Sequence, residues 1–214
     1  MSEVPADLRA AQHRFARPDA LGFIAGGRAP RGGRPAAVLI LLGPGAASDE
    51  LVLVEKHTQL RHHAGQLAFP GGRIEPTDPD PVAAALREAR EEVGVAPDTV
   101  EVLGCLPAAH VPSGFDVTSV VGWWKQTSRL VPVDLGEIAA VHQVPVSGLL
   151  DPANRDTWRH PSGFTGPGFW IGELYVWGFT AYLLDGLFDL LEWTRPWDRD
   201  RISKIPPRFL SPKL

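Results

Sequence analysis

Apolar residues recur along this chain with two periods, and the change from one to the other marks where strands give way to helix. Residues 36–42 (AAVLILL) and 51–55 (LVLVE) are apolar runs of strand length on either side of the loop GPGAASDE, which predicts a central hairpin. Residues 99–106 and 117–124, rich in Val and aromatic side chains, predict further strands, and residues 173–177 a last one. From residue 81 the period becomes helical: at about 100° per residue, Val82, Leu86, Ala89 and Val93 share one narrow stripe. Asp80 is placed to cap this helix, Pro81 suits its first position, and Gly94 with Pro97 stops it, so the helix is expected over 81–93. A strongly apolar stretch over 179–193, broken by Asp185 and Asp189, predicts a closing helix whose Trp and Leu belong to the core. A short helix is expected within 8–23.

The segments between these elements carry their own signals. Residues 25–35 (AGGRAPRGGRP) read as a loop made basic by Arg28, Arg31 and Arg34, most simply a solvated linker. Residues 107–115, with His110, Pro112 and Gly114, form a loop whose histidine either faces a ligand or is an ordinary surface residue. Residues 151–168 are rich in Pro, Gly and Asn and predict a long loop. The expected organisation is an extension and linker over 1–35, one domain over 36–194, and a proline-rich basic tail over 195–214 that wraps the surface or meets a second subunit in a homodimer.

Composition narrows the function classes. A chain of 214 residues is long enough for one substantial core. Its formal charge of −4 disfavours nonspecific binding to nucleic acid. Cys105 is the only cysteine, which excludes an intramolecular disulfide and a thiolate metal cluster. No stretch resembles a secretory signal or reaches membrane-spanning length without charge, so a cytoplasmic location without membrane partners is expected.

The chemistry concentrates on the helix over 81–93. Glu88, Glu91 and Glu92 gather nearly opposite its apolar stripe, and the last two lie where the helix dipole favours cations. Arg87 can pair with Glu91 one turn on, but such a pair contributes only about 0.3–0.5 kcal/mol. The cluster is therefore unfavourable unless a cation joins it. Clustered carboxylates are hard oxygen ligands suited to Mg²⁺ or Mn²⁺; the other reading is a solvated acidic face.

Gly72, Asp78 and the run Arg87-Glu88-Ala89-Arg90-Glu91-Glu92-Val93-Gly94-Val95 resemble the Nudix box, G-x5-E-x7-R-E-U-x-E-E-x-G-U. The second half matches at every specified position. In the first half Asp78 stands where the family has Glu, and eight residues rather than seven separate it from Arg87. Leu60-Arg61-His62-His63-Ala64-Gly65-Gln66-Leu67-Ala68-Phe69-Pro70-Gly71-Gly72 is similar to the L-R-x-H-x-G-Q-V-x-F-P-G-G segment of the coenzyme A pyrophosphatase branch, which shares the longer box. Trp177-Gly178-Phe179-Thr180-Ala181 is similar to the W-G-x-T-A run before that branch's closing helix.

The resemblance implies an α/β fold, the Nudix α/β/α sandwich with a mixed β-sheet, and metal-dependent hydrolysis of a diphosphate. By carry-over, Glu88, Glu91 and Glu92 with the Gly71 carbonyl hold Mg²⁺ or Mn²⁺, and Glu88 or Glu137 takes a proton from water. Glu137 precedes an apolar segment in a part of the chain where resembling enzymes carry an assisting glutamate; it reads equally as a surface acid that starts a helix. Arg61, His62, His63, Gln66 and Gly72 are the substrate-binding candidates. Arg61 and His63 read alternatively as pinning the loop, and Gly65 and Gln66 as conformational. Trp158, His160 or Phe164 could touch a base or a pantetheine arm. The implied substrate is coenzyme A or a thioester of it. The alternatives are ADP-ribose or another nucleoside diphosphate derivative, and a non-catalytic module that senses a nucleotide.

Overall fold

A computed structural model describes residues 2–17, 19–23, 28–60, 64–126 and 128–210. The chain is built around one long strand, β1 (Arg34–Gly43). Its partner β2 (Glu50–Lys56) meets it only at the turn, where Leu42 faces Leu51 and Gly43 faces Glu50. Beyond that point the expected hairpin forks. The chain after β2 fills the fork with two short strands: β3 (Leu67–Ala68) pairs with β2, and β4 (Gly71–Arg73) pairs with β1, setting Gly71 opposite Val38. Between them the Pro70 carbonyl accepts the Leu39 amide at 2.8 Å.

Helix α3 (Pro81–Val93) follows with the predicted bounds. The Asp80 carboxylate accepts the Ala83 amide at 2.8 Å, and Gly94 closes the helix at φ 75°, a left-handed conformation without penalty for glycine. The buried face is rotated from the expected one. Ala84, Ala85, Ala89, Glu92 and Val93 are buried, while Val82 and Leu86 are only partly so. Three alanines let the helix lie close on β1, and that approach carries Glu92 inside.

The remaining strands of the main sheet are β5 (Val100–Cys105), β6 (Ala109–Val111), β7 (Phe115–Trp124) and β8 (Ile138–Pro145). β7 runs parallel to β1 and β8 antiparallel to β2, so the sheet is mixed. The loop expected over 107–115 contains β6, paired with β7. Alternation sorts the two faces. Ala37, Leu39, Leu41, Val52 and Val54 pack on α3; Ile40, Leu42, Leu51 and Leu53 pack on the opposite layer. That layer holds α1 (Ala6–Phe15) and the closing helix, which begins one residue earlier than expected and ends at 190. In place of one helix over 8–23, α1 is followed by α2 (Ala20–Phe23), with Pro18 between them in the sequence disfavouring a continuous helix.

The long loop expected over 151–168 is the clearest correction. After the one-turn helix α4 (Val146–Leu149), strands β9 (Arg155–Arg159) and β10 (Thr165–Ile171) pair antiparallel, and β11 (Leu174–Val176) completes a hairpin ahead of α5 (Gly178–Leu190). Glycine inside β10 marks crowding rather than a turn: the Asp156 carboxylate and the Tyr175 hydroxyl occupy the space a side chain at Gly168 would need. The segment expected as a tail supplies β12 (Ile202–Lys204), parallel to β9, and buries Ile205 and Phe209 against Trp158 and Tyr175. Among the described residues no helix is long and apolar enough to cross a membrane.

Asp80→Ala is expected to lower stability by about 1 kcal/mol by orphaning the Ala83 amide, read by urea denaturation; Asp80→Asn, which can still accept that bond, is expected to recover most of it.

Candidate functional site

The fork brings three parts of the chain together: the Gly71–Gly72 turn, the last turns of α3, and the approach to β8. At their meeting point stands Lys56, the last residue of β2. Two residues beyond Val54, it points to the α3 face, and it is buried there. Its Nζ donates to Glu92 Oε1 and to Glu137 Oε1, each at 2.6 Å. The second Glu92 oxygen accepts the Gly71 amide at 3.1 Å. Burial alone would drive the Lys56 proton off; the two carboxylates outweigh it and hold the ammonium above its ordinary range. Burial pushes the Glu92 carboxyl up, against the opposing pull of Lys56 and the Gly71 amide.

Glu88 lies one turn earlier, half-buried against Gly72. A Cβ at Gly72 would stand 2.5 Å from Glu88 Oε1, so a larger residue there would push the Glu88 carboxylate aside. Burial raises the Glu88 carboxyl, while Arg87 Nη1 donates to it at 3.0 Å and pulls it down. The same Nη1 donates to Glu91 Oε2 at 3.0 Å, the pair expected one helical turn apart. Glu91 itself is exposed.

The rest of the Arg87 guanidinium settles the path of the longer loop. Its Nε and Nη2 donate to the two Asp78 oxygens at 3.0 and 2.9 Å, and Nη2 also reaches the Arg73 carbonyl at 3.0 Å. Asp78 Oδ2 accepts the Glu75 amide as well, at 2.8 Å. The Arg87 fork holds the Asp78 carboxyl below the usual carboxylate range. Asp78 therefore anchors the loop to the helix through Arg87.

The other candidates divide. Gln66 donates from its side-chain amide to the Phe209 carbonyl at 3.2 Å, and Thr180 at the start of α5 donates to the Leu67 carbonyl at 3.2 Å. The segment before the glycine pair is thus pinned by α5 and by the C-terminal strand region. Arg61, His62 and His63 lie outside the described residues. Glu137 is at a strand entry, not a helix start, and its backbone carbonyl accepts the His57 amide at 2.7 Å. His110 pairs with Asp116 at 2.7 Å, and that carboxylate also takes the Arg31 and Gly33 amides, fastening the basic segment to β7. Trp158 is buried edge-on to Trp177 and Tyr182, His160 stacks on Trp177, and Phe164 is exposed. Lys56 was not a candidate in the sequence, yet strand alternation flags it as a charge on the inward face of β2.

Around this point five carboxylates, Asp78, Glu88, Glu91, Glu92 and Glu137, face two cations, Lys56 and Arg87. The excess of negative charge and the all-oxygen donor set fit a hard divalent ion, and the glycine cradle beside Glu88 leaves backbone close enough to help. Among the described residues, however, no group of three or more acidic, histidine or cysteine side chains stands ready to hold one. Lys56 and Arg87 engage the carboxylate oxygens instead.

The chain is similar to known proteins of one family. A NUDIX domain profile matches residues 33–164. The Nudix hydrolase NudL of Escherichia coli strain SMS-3-5 is 38% identical over 164 residues, covering 71% of this chain and 79% of the relative. NudL of Enterobacter sp. strain 638 is 39% identical over 168 residues with the same coverage. The crystal structure of the Nudix hydrolase RenU from M. smegmatis shares the fold at 18% identity, with a TM-score of 0.54 over 78% of this chain and 90% of that one.

Arg87→Lys retains the charge but not the fork. It is expected to release the loop before α3, so that the Glu75 amide exchanges hydrogen faster while the amides in the middle of α3 keep their protection, as read by hydrogen-exchange mass spectrometry.

Proposed function

The chain belongs to the Nudix family and is a pyrophosphohydrolase within it, and we propose that the bond it hydrolyses is the diphosphate of coenzyme A or of one of its thioesters. The products are 4′-phosphopantetheine, or its acyl form, and adenosine 3′,5′-bisphosphate. One observation carries the reading. The segment resembling the coenzyme A pyrophosphatase motif runs directly into the glycine pair that lies against Glu88 and Glu92, so a ligand held by that segment is presented to the carboxylates.

In this reading Glu88, Glu91, Glu92 and the Gly71 carbonyl would hold Mg²⁺ or Mn²⁺. A cation bound there would neutralise charge on the diphosphate and acidify an attacking water. Glu88 takes the proton of that water. Burial raises its carboxyl, whereas Glu137 is held by Lys56. Gly72, with no side chain, leaves the Glu88 carboxylate room against the backbone. Arg61, with His62 and His63, supplies cations for the diphosphate and the 3′-phosphate, Arg offering two parallel donors. Gln66 keeps the segment in place through Phe209.

The test is a substrate panel with Mg²⁺ or Mn²⁺: coenzyme A, an acyl-coenzyme A, ADP-ribose and a dinucleotide, with products identified by mass. Cleavage of coenzyme A to the two named products is expected; turnover of ADP-ribose with coenzyme A left intact would sink the substrate assignment. Glu88→Gln is expected to lower kcat by roughly 10²–10⁴-fold with the fold retained, and undiminished turnover would remove Glu88 from its role.

A further inference from the structure

The acid cluster already contains a cation of its own. Lys56 is fixed on both sides of its backbone: its amide donates to the Gln66 carbonyl and its carbonyl accepts the Gly65 amide, each at 3.0 Å. From that anchored position, with a tenth of its side chain exposed, its ammonium bridges Glu92 and Glu137 at 2.6 Å each. Glu137 is fixed in turn, its amide and that of Gly136 bonded to Asp134 and its carbonyl to the His57 amide. The backbones that carry Lys56 and Glu137 are thus both held, and Glu92 is held through its second oxygen by the Gly71 amide.

Resting on the metal-dependent reading above, we propose that the Lys56 ammonium takes the place of one divalent ion between Glu92 and Glu137, so that Glu137 serves Lys56 and the protein binds one metal fewer than its carboxylates could hold. Glu92 Oε2 accepts the Gly71 amide, and Oε1 accepts from the ammonium. A divalent ion at the Glu137 side would have to share that oxygen with a buried like charge, and low-dielectric surroundings make such repulsion strong. On the Glu88 side the neighbouring cation is the part-exposed Arg87 guanidinium, which donates to Glu88 Oε1 and Glu91 Oε2, and the Gly71–Gly72 backbone lies alongside. The cluster is therefore unequal: one end keeps a buried ammonium, and the other has only a part-exposed guanidinium at the rim, where an exchangeable metal competes for the oxygens.

The experiment counts Mn²⁺ bound per chain by equilibrium dialysis and electron paramagnetic resonance, with the full-length protein and no substrate. Lys56→Met is expected to bind one more ion than the wild type, and Lys56→Arg the same number as the wild type. Glu137→Gln, whose side chain is about half exposed and can still accept from Lys56, is expected to leave the count unchanged. An unchanged or lower count in folded Lys56→Met overturns the proposal. So does a lower count in Glu137→Gln, which decides the matter alone if Lys56→Met does not fold. A wild type that binds no Mn²⁺ removes the metal-dependent reading as well, whereas wild-type binding with the wrong changes removes only the role of Lys56.

Discussion

A carboxylate drawn inside the protein has to be met there by a cation, and the contact between Glu92 and Lys56 meets that requirement. Around it the structure takes its order. Glu92 is inside because three alanines seat α3 tightly on β1; Lys56 meets it because β2 ends with that residue on the inward face. The same carboxylate takes the Gly71 amide, so one buried side chain joins the helix, the second strand and the glycine turn. Removing either partner would leave an uncompensated charge in the interior, which makes this pair a condition for the site's shape more than a net source of stability.

A second set of contacts governs the outer side of the same helix. There Arg87 spreads one planar fork over Asp78, Arg73, Glu88 and Glu91. The division of labour follows the chemistry of the two cations. Arginine, with several donors in fixed directions, suits a rim where a loop and two glutamates must be held at once. Lysine, a compact charge on a long stem, suits the interior, where one point must be filled.

Much of this was legible in the sequence. The bounds of α3 follow from Asp80, Pro81 and Gly94, each a local rule of backbone chemistry, and the structure reproduces them. The layered α/β architecture follows from strand alternation and the two apolar helices. The rotation of α3 was not legible, because a wheel ranks side chains by hydrophobicity and cannot know that small residues permit closer approach than large ones. Residues 151–168 misled for a related reason: Gly166 and Gly168 look like turn residues until Trp158, Tyr182, Asp156 and Tyr175 are seen crowding them. Lys56 was missed because nothing local announces that a strand-end lysine will find Glu92, 36 residues on, and Glu137, 81 residues on. The loop from 73 to 78 became definite only through Arg87, a contact across nine positions.

The bond from Gln66 to the Phe209 carbonyl spans 143 residues. A polypeptide emerging from the ribosome makes the glycine turn, the acidic helix and the main sheet long before Phe209 exists. The bond from Gln66 to Phe209 therefore waits for nearly the whole chain. In the growing chain this one contact can close only after Phe209 has been made, when the strands and the helix around the turn are already synthesised.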